Sequence, residues 1–181
     1  MTAAPPTLAT KRLALRPYVA GDEALLHAIV ADPRVYWWRE APGTEAESAA
    51  ALRALLALGP RGLGWWHVHP LTDEARHLGA ILLRPLPNTR EVEVGWHFLP
   101  QARGHGYATE AGAAAIAYGF ETLGLPRIAC IVRTDNPRSR AVAGRLRLPR
   151  LGMRLHAGKL HDYFILERTE WLAGLRGRSA G

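Results

Sequence analysis

The chain is poor in cysteine, poor in lysine and without long apolar runs. Cys130 is its one cysteine in 181 residues, so no internal disulfide can form. The thiol lies in a strand-like run, 127–132, and reads as buried and inert. No apolar run is long enough and free enough of charge to cross a bilayer. The first residues, Met-Thr-Ala-Ala-Pro-Pro, lack the basic and apolar regions of a secretion signal. The expected location is therefore cytoplasmic, and membranes drop out as partners. Repeats, low-complexity blocks and linkers are missing, and one domain over 1–181, with its core at about 8–168, is expected. The histidines His67, His69, His77 and His161 have no zinc-binding spacing, so no metal is expected. Lysine occurs at Lys11 and Lys159 only, and arginine carries the net charge of +7. The arginines are scattered, apart from the stretch 138–154 and the pair Arg176 and Arg178. Such scatter suits a basic lip around an anionic ligand better than a nucleic-acid track.

What is present is a regular alternation of elements. Leu13 and Leu15 alternate with Arg12 and Arg16 as a strand within 10–18. Gly21-Asp22-Glu23 opens a helix that Asp32-Pro33 ends, because proline disfavours a helical residue before it. Thr44 and Glu47 have the spacing of a capping box for a helix over 45–58. Strands are expected at 64–69, 78–86 and 91–99, a meander. A helix follows over 106–123, then a strand at 127–132, a helix over 136–147, and closing strands at 151–155 and 162–167. This β-α-α-β-β-β-α-β-α-β-β order implies an α/β (α+β) fold with a mixed, mostly antiparallel sheet.

The most informative segment is Gln101-Ala102-Arg103-Gly104-His105-Gly106-Tyr107-Ala108-Thr109-Glu110-Ala111, where a strand gives way to a helix. Glycine lets the backbone curl closely around an anion. The first helical turn adds unpaired N–H groups and the positive end of the helix dipole. A pyrophosphate is the matching ligand. A Rossmann dinucleotide site is disfavoured, since its third glycine is replaced by Thr109 and the motif lies mid-chain after a meander.

Gln101, Gly104 and Gly106 match, in register, the phosphate motif of the GCN5-related N-acetyltransferases (GNAT). Glu93-Val94-Gly95-Trp96 before it and Tyr107-Ala108-Thr109-Glu110-Ala111 after it resemble the branch containing ribosomal-protein alanine acetyltransferases. So do Gly119-Phe120, Leu123-Gly124-Leu125, Arg127-Ile128 and Asn136 with Ser139 downstream. The resemblance implies a GNAT fold: a six- to seven-stranded sheet, splayed at the cofactor site, with helices on both faces. It implies acetyl-CoA as donor, released as CoA, and a protein N-terminus or a small-molecule amine as acceptor. A homodimer is compatible with it. The pyrophosphate would meet the main chain of Arg103, Gly104, His105, Gly106, Tyr107 and Ala108. Phe98 and Leu99 would face the pantetheine arm, Asn136 would serve the cofactor site while also capping its helix, and Ser139 would lie near the sulfur.

Acetyl transfer to an amine needs a deprotonated nucleophile, a polarised thioester oxygen and a stabilised leaving thiolate. Glu91, Glu93 and His97 share one strand face. Glu93 is the first choice of general base, Glu91 the second, and a water chain ending at His97 the third. The amide of Val94 or Trp96 would polarise the carbonyl. The tyrosine many relatives carry is replaced here by Ala143, so Ser139 or water would assist the thiolate, or it would leave without a dedicated acid. Tyr36, Trp37, Trp38 and Trp65, with Tyr163, would line the acceptor pocket, as aromatic walls suit a peptide end or a cation, whereas Trp66 reads rather as core. The family's Leu-Gly-Phe appears late, as Leu151-Gly152-Met153, and Arg147 to Arg150 are expected to form an extra turn near the adenine or the acceptor mouth. The alternatives are a non-catalytic acyl-CoA-binding regulator and a basic ribosome- or RNA-associated protein.

Overall fold

The computed structural model describes residues 4–179. Its centre is one sheet of eight strands in the order β1-β2-β3-β4-β5-β6-β8-β7. The strands are β1 (Leu8–Ala9), β2 (Leu13–Pro17), β3 (Gly64–Pro70), β4 (Gly79–Pro85), β5 (Val92–Phe98), β6 (Arg127–Arg133), β7 (Arg150–His156) and β8 (Lys159–Glu167). All neighbours are antiparallel except β5 and β6. The helices are α1 (Glu23–Val30), α2 (Glu45–Leu56), α3 (Tyr107–Glu121), α4 (Pro137–Arg145) and α5 (Arg168–Ser179).

The sheet is wider than the six or seven strands expected from sequence. The addition is β1, two residues on the edge of β2, too short for alternation to register. A second element beyond the sequence reading is α5, whose Trp171 packs on Phe120 with ring centroids 5.3 Å apart.

Alternation places two cores on the two faces. Leu13, Leu15, Trp66, Ile81, Leu83 and Ile128 pack with Ala111, Ala115 and Phe120 of α3. Trp65, Leu82 and Ala80 on the other face pack with Leu26, Ile29 and Leu52 of α1 and α2. Each fully buried large side chain here contributes about 1.5–3 kcal/mol. The capping box at α2 forms as expected. Thr44 Oγ1 accepts from the Glu47 N–H at 3.2 Å, and the Glu47 carboxylate accepts from the Thr44 N–H at 2.7 Å.

The 147–150 segment turns only at its first residue. Arg147 stops α4 in the left-handed region (φ 58°), and the Leu148 N–H closes onto the Ala143 carbonyl at 3.0 Å. Leu148 is buried in the α3-side core, and β7 begins at Arg150. The late Leu-Gly-Met is absorbed by an irregularity between Arg150 and Gly152 in the β7–β8 ladder.

Candidate active site

The parallel pair β5–β6 touches at one register position, Glu93 with Ala129. Beyond it the strands separate, and the main chain of β5 from Gly95 onward has no strand partner on its β6 side. The split ends at the glycine turn. A one-turn 3-10 helix (Pro100–Ala102) leads into Arg103, then Gly104 at φ 83° and Gly106 at φ 78°. Gly106 is the N-cap of α3. Among the described residues, the N–H groups of Gly104, Gly106, Tyr107 and Ala108 make no hydrogen bond. A Cβ built at Gly104 meets nothing within 4 Å, so glycine keeps open the space those donors face. This cradle of free amides at a helix N-terminus fits a diphosphate.

Side chains from far along the chain brace the cradle. Glu110 accepts from the Thr10 hydroxyl at 2.6 Å, the Arg12 N–H at 2.9 Å and Arg12 Nε at 2.7 Å. Arg12 Nη2 donates to the His105 carbonyl at 3.0 Å, and its guanidinium lies 4.9 Å from the Tyr107 ring centre. The Arg103 N–H is taken by the Pro100 carbonyl at 3.2 Å. The Arg103 guanidinium donates to the carbonyls of Phe98 at 3.2 Å and Arg34 at 2.8 Å, tying the loop after α1 to the end of β5. Gln101 and His105 are exposed. Phe98 and Leu99 enter opposite cores, so main chain, not side chain, is what they present to the split.

Side chains on the two faces of β5 flank the split. On the α1 side, Glu93 is 4% exposed and its carboxylate accepts from Arg84 Nε at 2.6 Å. Four residues along the same face, His97 is stacked between Tyr36 (centroids 5.1 Å, planes 5° apart) and Trp65 (5.2 Å, 9°). Desolvation in this stack, reinforced by the Arg84 charge, pushes the His97 pKa down to about 4, so the ring is neutral at pH 7. Desolvation likewise raises Tyr36 to about 12. On the other face, Trp96 Nε1 donates to Ser139 Oγ at 3.3 Å. Ser139 stands in the first turn of α4, where its N–H donates to the Asn136 side-chain oxygen at 3.1 Å. Asn136 is thus an N-cap, as its residue type allows.

Glu91, just before β5, sits at the other end of the site. Its carboxyl is held below the usual range, first by the Thr89 hydroxyl and, more weakly, by Arg154 and Arg127. Trp37 and Trp38 are exposed, and Arg133 at the end of β6 stacks over Trp37 at 4.9 Å. Trp66 does not belong to the pocket. It lies on the α3 side with 0% exposure, its Nε1 donating to the Pro6 carbonyl at 2.8 Å, because strand neighbours point to opposite faces. Tyr163 is buried at the floor of a cleft beside β6. Among the described residues no cluster of His, Cys, Asp or Glu could hold a metal ion, and no helix is long and apolar enough to cross a membrane.

The sequence reading missed Arg84, Arg12 and Glu110. Arg84 was readable, since the β4–β5 hairpin places it directly opposite Glu93. The Thr10–Arg12–Glu110 brace had no local signal, its members being about a hundred residues apart.

The acetyltransferase (GNAT) domain family matches residues 12–148. The uncharacterized N-acetyltransferase YoaA of Bacillus subtilis is 30% identical over 139 residues, covering 74% of this chain and 77% of that protein. An acetyltransferase from Agrobacterium tumefaciens superposes with a TM-score of 0.77 at 27% identity, covering 92% of this chain and 97% of that one. Spermidine N-acetyltransferase from Vibrio cholerae, solved with CoA and spermine, shares the fold with a TM-score of 0.72 at 18% identity, over 90% and 99% of the two chains. A match that runs from the first long strand through α4 leaves one conclusion: this chain belongs to the GNAT family of acetyltransferases, enzymes that draw their acyl group from acetyl-CoA.

Proposed function

We propose that the chain acetylates a primary amine, on a protein N-terminus or a small molecule, by direct attack with both substrates bound. The observation carrying this reading is the set of unpartnered amides at Gly104, Gly106, Tyr107 and Ala108, placed where β5 and β6 separate. These donors would hold the diphosphate of acetyl-CoA, and the free main chain of Gly95 to Phe98 would hold its pantetheine arm. When bound, acetyl-CoA supplies an acetyl group activated as a thioester.

Glu93 takes the proton from the acceptor ammonium, directly or through water. Its carboxylate is fixed by Arg84, so it is oriented before the acceptor arrives. Glu91 is placed to attract the ammonium near the mouth. His97, neutral and locked between two rings, walls the site and excludes water. The Ser139 hydroxyl accepts from Trp96, which leaves its own hydrogen free to point toward the departing sulfur.

Calorimetry with CoA, followed by CoA release in the presence of amines, tests the reading. Binding and turnover are expected in the native chain, and Glu93→Gln should keep binding while losing turnover. No heat with CoA, together with no NMR perturbation of the amides of residues 104–108 by 3′,5′-ADP, would sink it.

A further inference from the structure

We infer that the acceptor is an amine that also carries a carboxylate, and that Arg154 selects it; this deepens the acetyl-transfer reading and rests on it. A cleft of about 480 Å³ lies between the turn joining β4 to β5 and the β7–β8 hairpin. Leu86 and Thr89 form one wall, Arg154 and His156 the other, and Ile131 and Tyr163 the floor. Ile131 lies on β6, two residues past the Glu93–Ala129 contact where β5 and β6 part. The cleft therefore borders the split on the side where Glu93 stands.

Arg154 is the unusual group. Its guanidinium carbon lies 3.6 Å from the centre of the Tyr163 ring. Neighbouring arginines are occupied: Arg140 and Arg150 both pair with Asp162, at 2.9 and 2.7 Å, and Arg127 pairs with Glu167 at 3.2 Å. Among the described residues Arg154 makes no hydrogen bond and no ion pair. Stacking fixes the guanidinium plane while leaving its N–H edges free, and that rigid fork matches a carboxylate. Below it the buried Tyr163 hydroxyl lies next to the Glu91 carboxylate; desolvation, together with the charge and hydrogen bonding of Glu91, raises its pKa.

No carboxylate lines the cleft itself. Glu91 lies close enough to feel the charge of Arg154. The site thus offers one anion for an ammonium and, a short distance away, one fixed cation for a carboxylate. A chain of several ammonium groups would set one of them against Arg154, within a protein of net charge +7. Repulsion of that kind is how a site rejects a competing ligand. The acceptor expected here differs in this respect from the polyamine named for the Vibrio cholerae relative.

The test compares the dipeptide Ala-Asp with its fully amidated counterpart Ala-Asn-amide, and with spermidine, by CoA release. Ala-Asp should exceed the amide in kcat/KM by about twofold to fivefold, the reach of an ion pair to an exposed arginine, carried mostly by KM. Spermidine should be the poorest of the three. Arg154→Gln should collapse the Ala-Asp preference toward unity, and Arg154→Lys should restore part of it, with melting temperatures confirming folded variants. Equal or better turnover of the amide or of spermidine overturns the inference while leaving acetyl transfer intact. An Arg154→Gln variant that keeps the native preference also overturns it. CoA binding without turnover of any amine overturns both readings.

Discussion

The glycine turn and the acceptor cleft flank the same strand, β5, and are made of opposite materials. The turn is backbone: free amides of consecutive residues, presented by two left-handed glycines and the start of α3. The cleft is side chain: Arg154 and Tyr163 from the last hairpin, Ile131 from β6, Leu86 and Thr89 from a turn. On the proposed reading the turn would hold the diphosphate of the donor, and the cleft would meet the acceptor. Backbone donors tolerate drift in neighbouring side chains, whereas a side-chain cleft changes its ligand with a single substitution. A fold can therefore keep a backbone site while a side-chain site beside it changes.

The two sites should be separable by mutation. The largest effect is expected for Glu93→Gln, lowering kcat by about a hundredfold to ten-thousandfold, the range of general-base removal. CoA affinity by calorimetry should stay within about twofold. Next is Gly104→Val. A β-branched side chain at φ 83° costs on the order of 1–2 kcal/mol of strain and fills the space before the amides. CoA affinity should fall by about a hundredfold, with acceptor KM unmoved once donor is saturating. Affinity within threefold of the native value would break the comparison, because the cradle would then not be backbone.

A third prediction concerns the acceptor-side core. Desolvation, with the charges of His77 and His69 adding, pushes the buried His67 pKa down to about 3. Its ring nitrogens have no hydrogen-bond partner among the described residues. The unfolded chain titrates His67 near its ordinary value, so between pH 6.5 and 3 the unfolded state binds more protons. Stability is then complete above pH 6.5 and is lost as pH falls. His67 should account for about 2 kcal/mol of the loss by pH 5, measured by urea unfolding, and His67→Phe should reduce the slope by that share while the part owed to His97 and His77, also depressed by burial, remains. A slope unchanged by the substitution would assign it to those other groups alone. The smallest effect is Ser139→Ala, lowering kcat about threefold to tenfold through one lost hydrogen bond, with CoA affinity retained.

Elements were legible where the signal is local. The capping box at Thr44 and Glu47, the proline stop after Asp32 and the glycine turn are written within a few neighbouring residues, and each formed at its expected place. The two-residue β1 and the fate of 147–150 were not legible. The first depends on an edge of β2, and the second on a hole in the core that Leu148 fills. Trp65 and Trp66 make the same point. Both are tryptophans of one strand, yet one stacks on His97 and the other packs on Tyr118.

The order of elements, the glycine turn and the carboxylates at and just before β5 follow from sequence alone, because alternation, glycine and helix-start chemistry act over distances of a few residues. The partners of those groups were decided by the tertiary structure: Arg84 for Glu93, Trp96 for Ser139, the Thr10–Arg12 brace for Glu110, Tyr163 for Arg154. Those pairings depend on strand register and on which side chains share a face after the sheet has twisted and split. Only packing of the whole chain settles that.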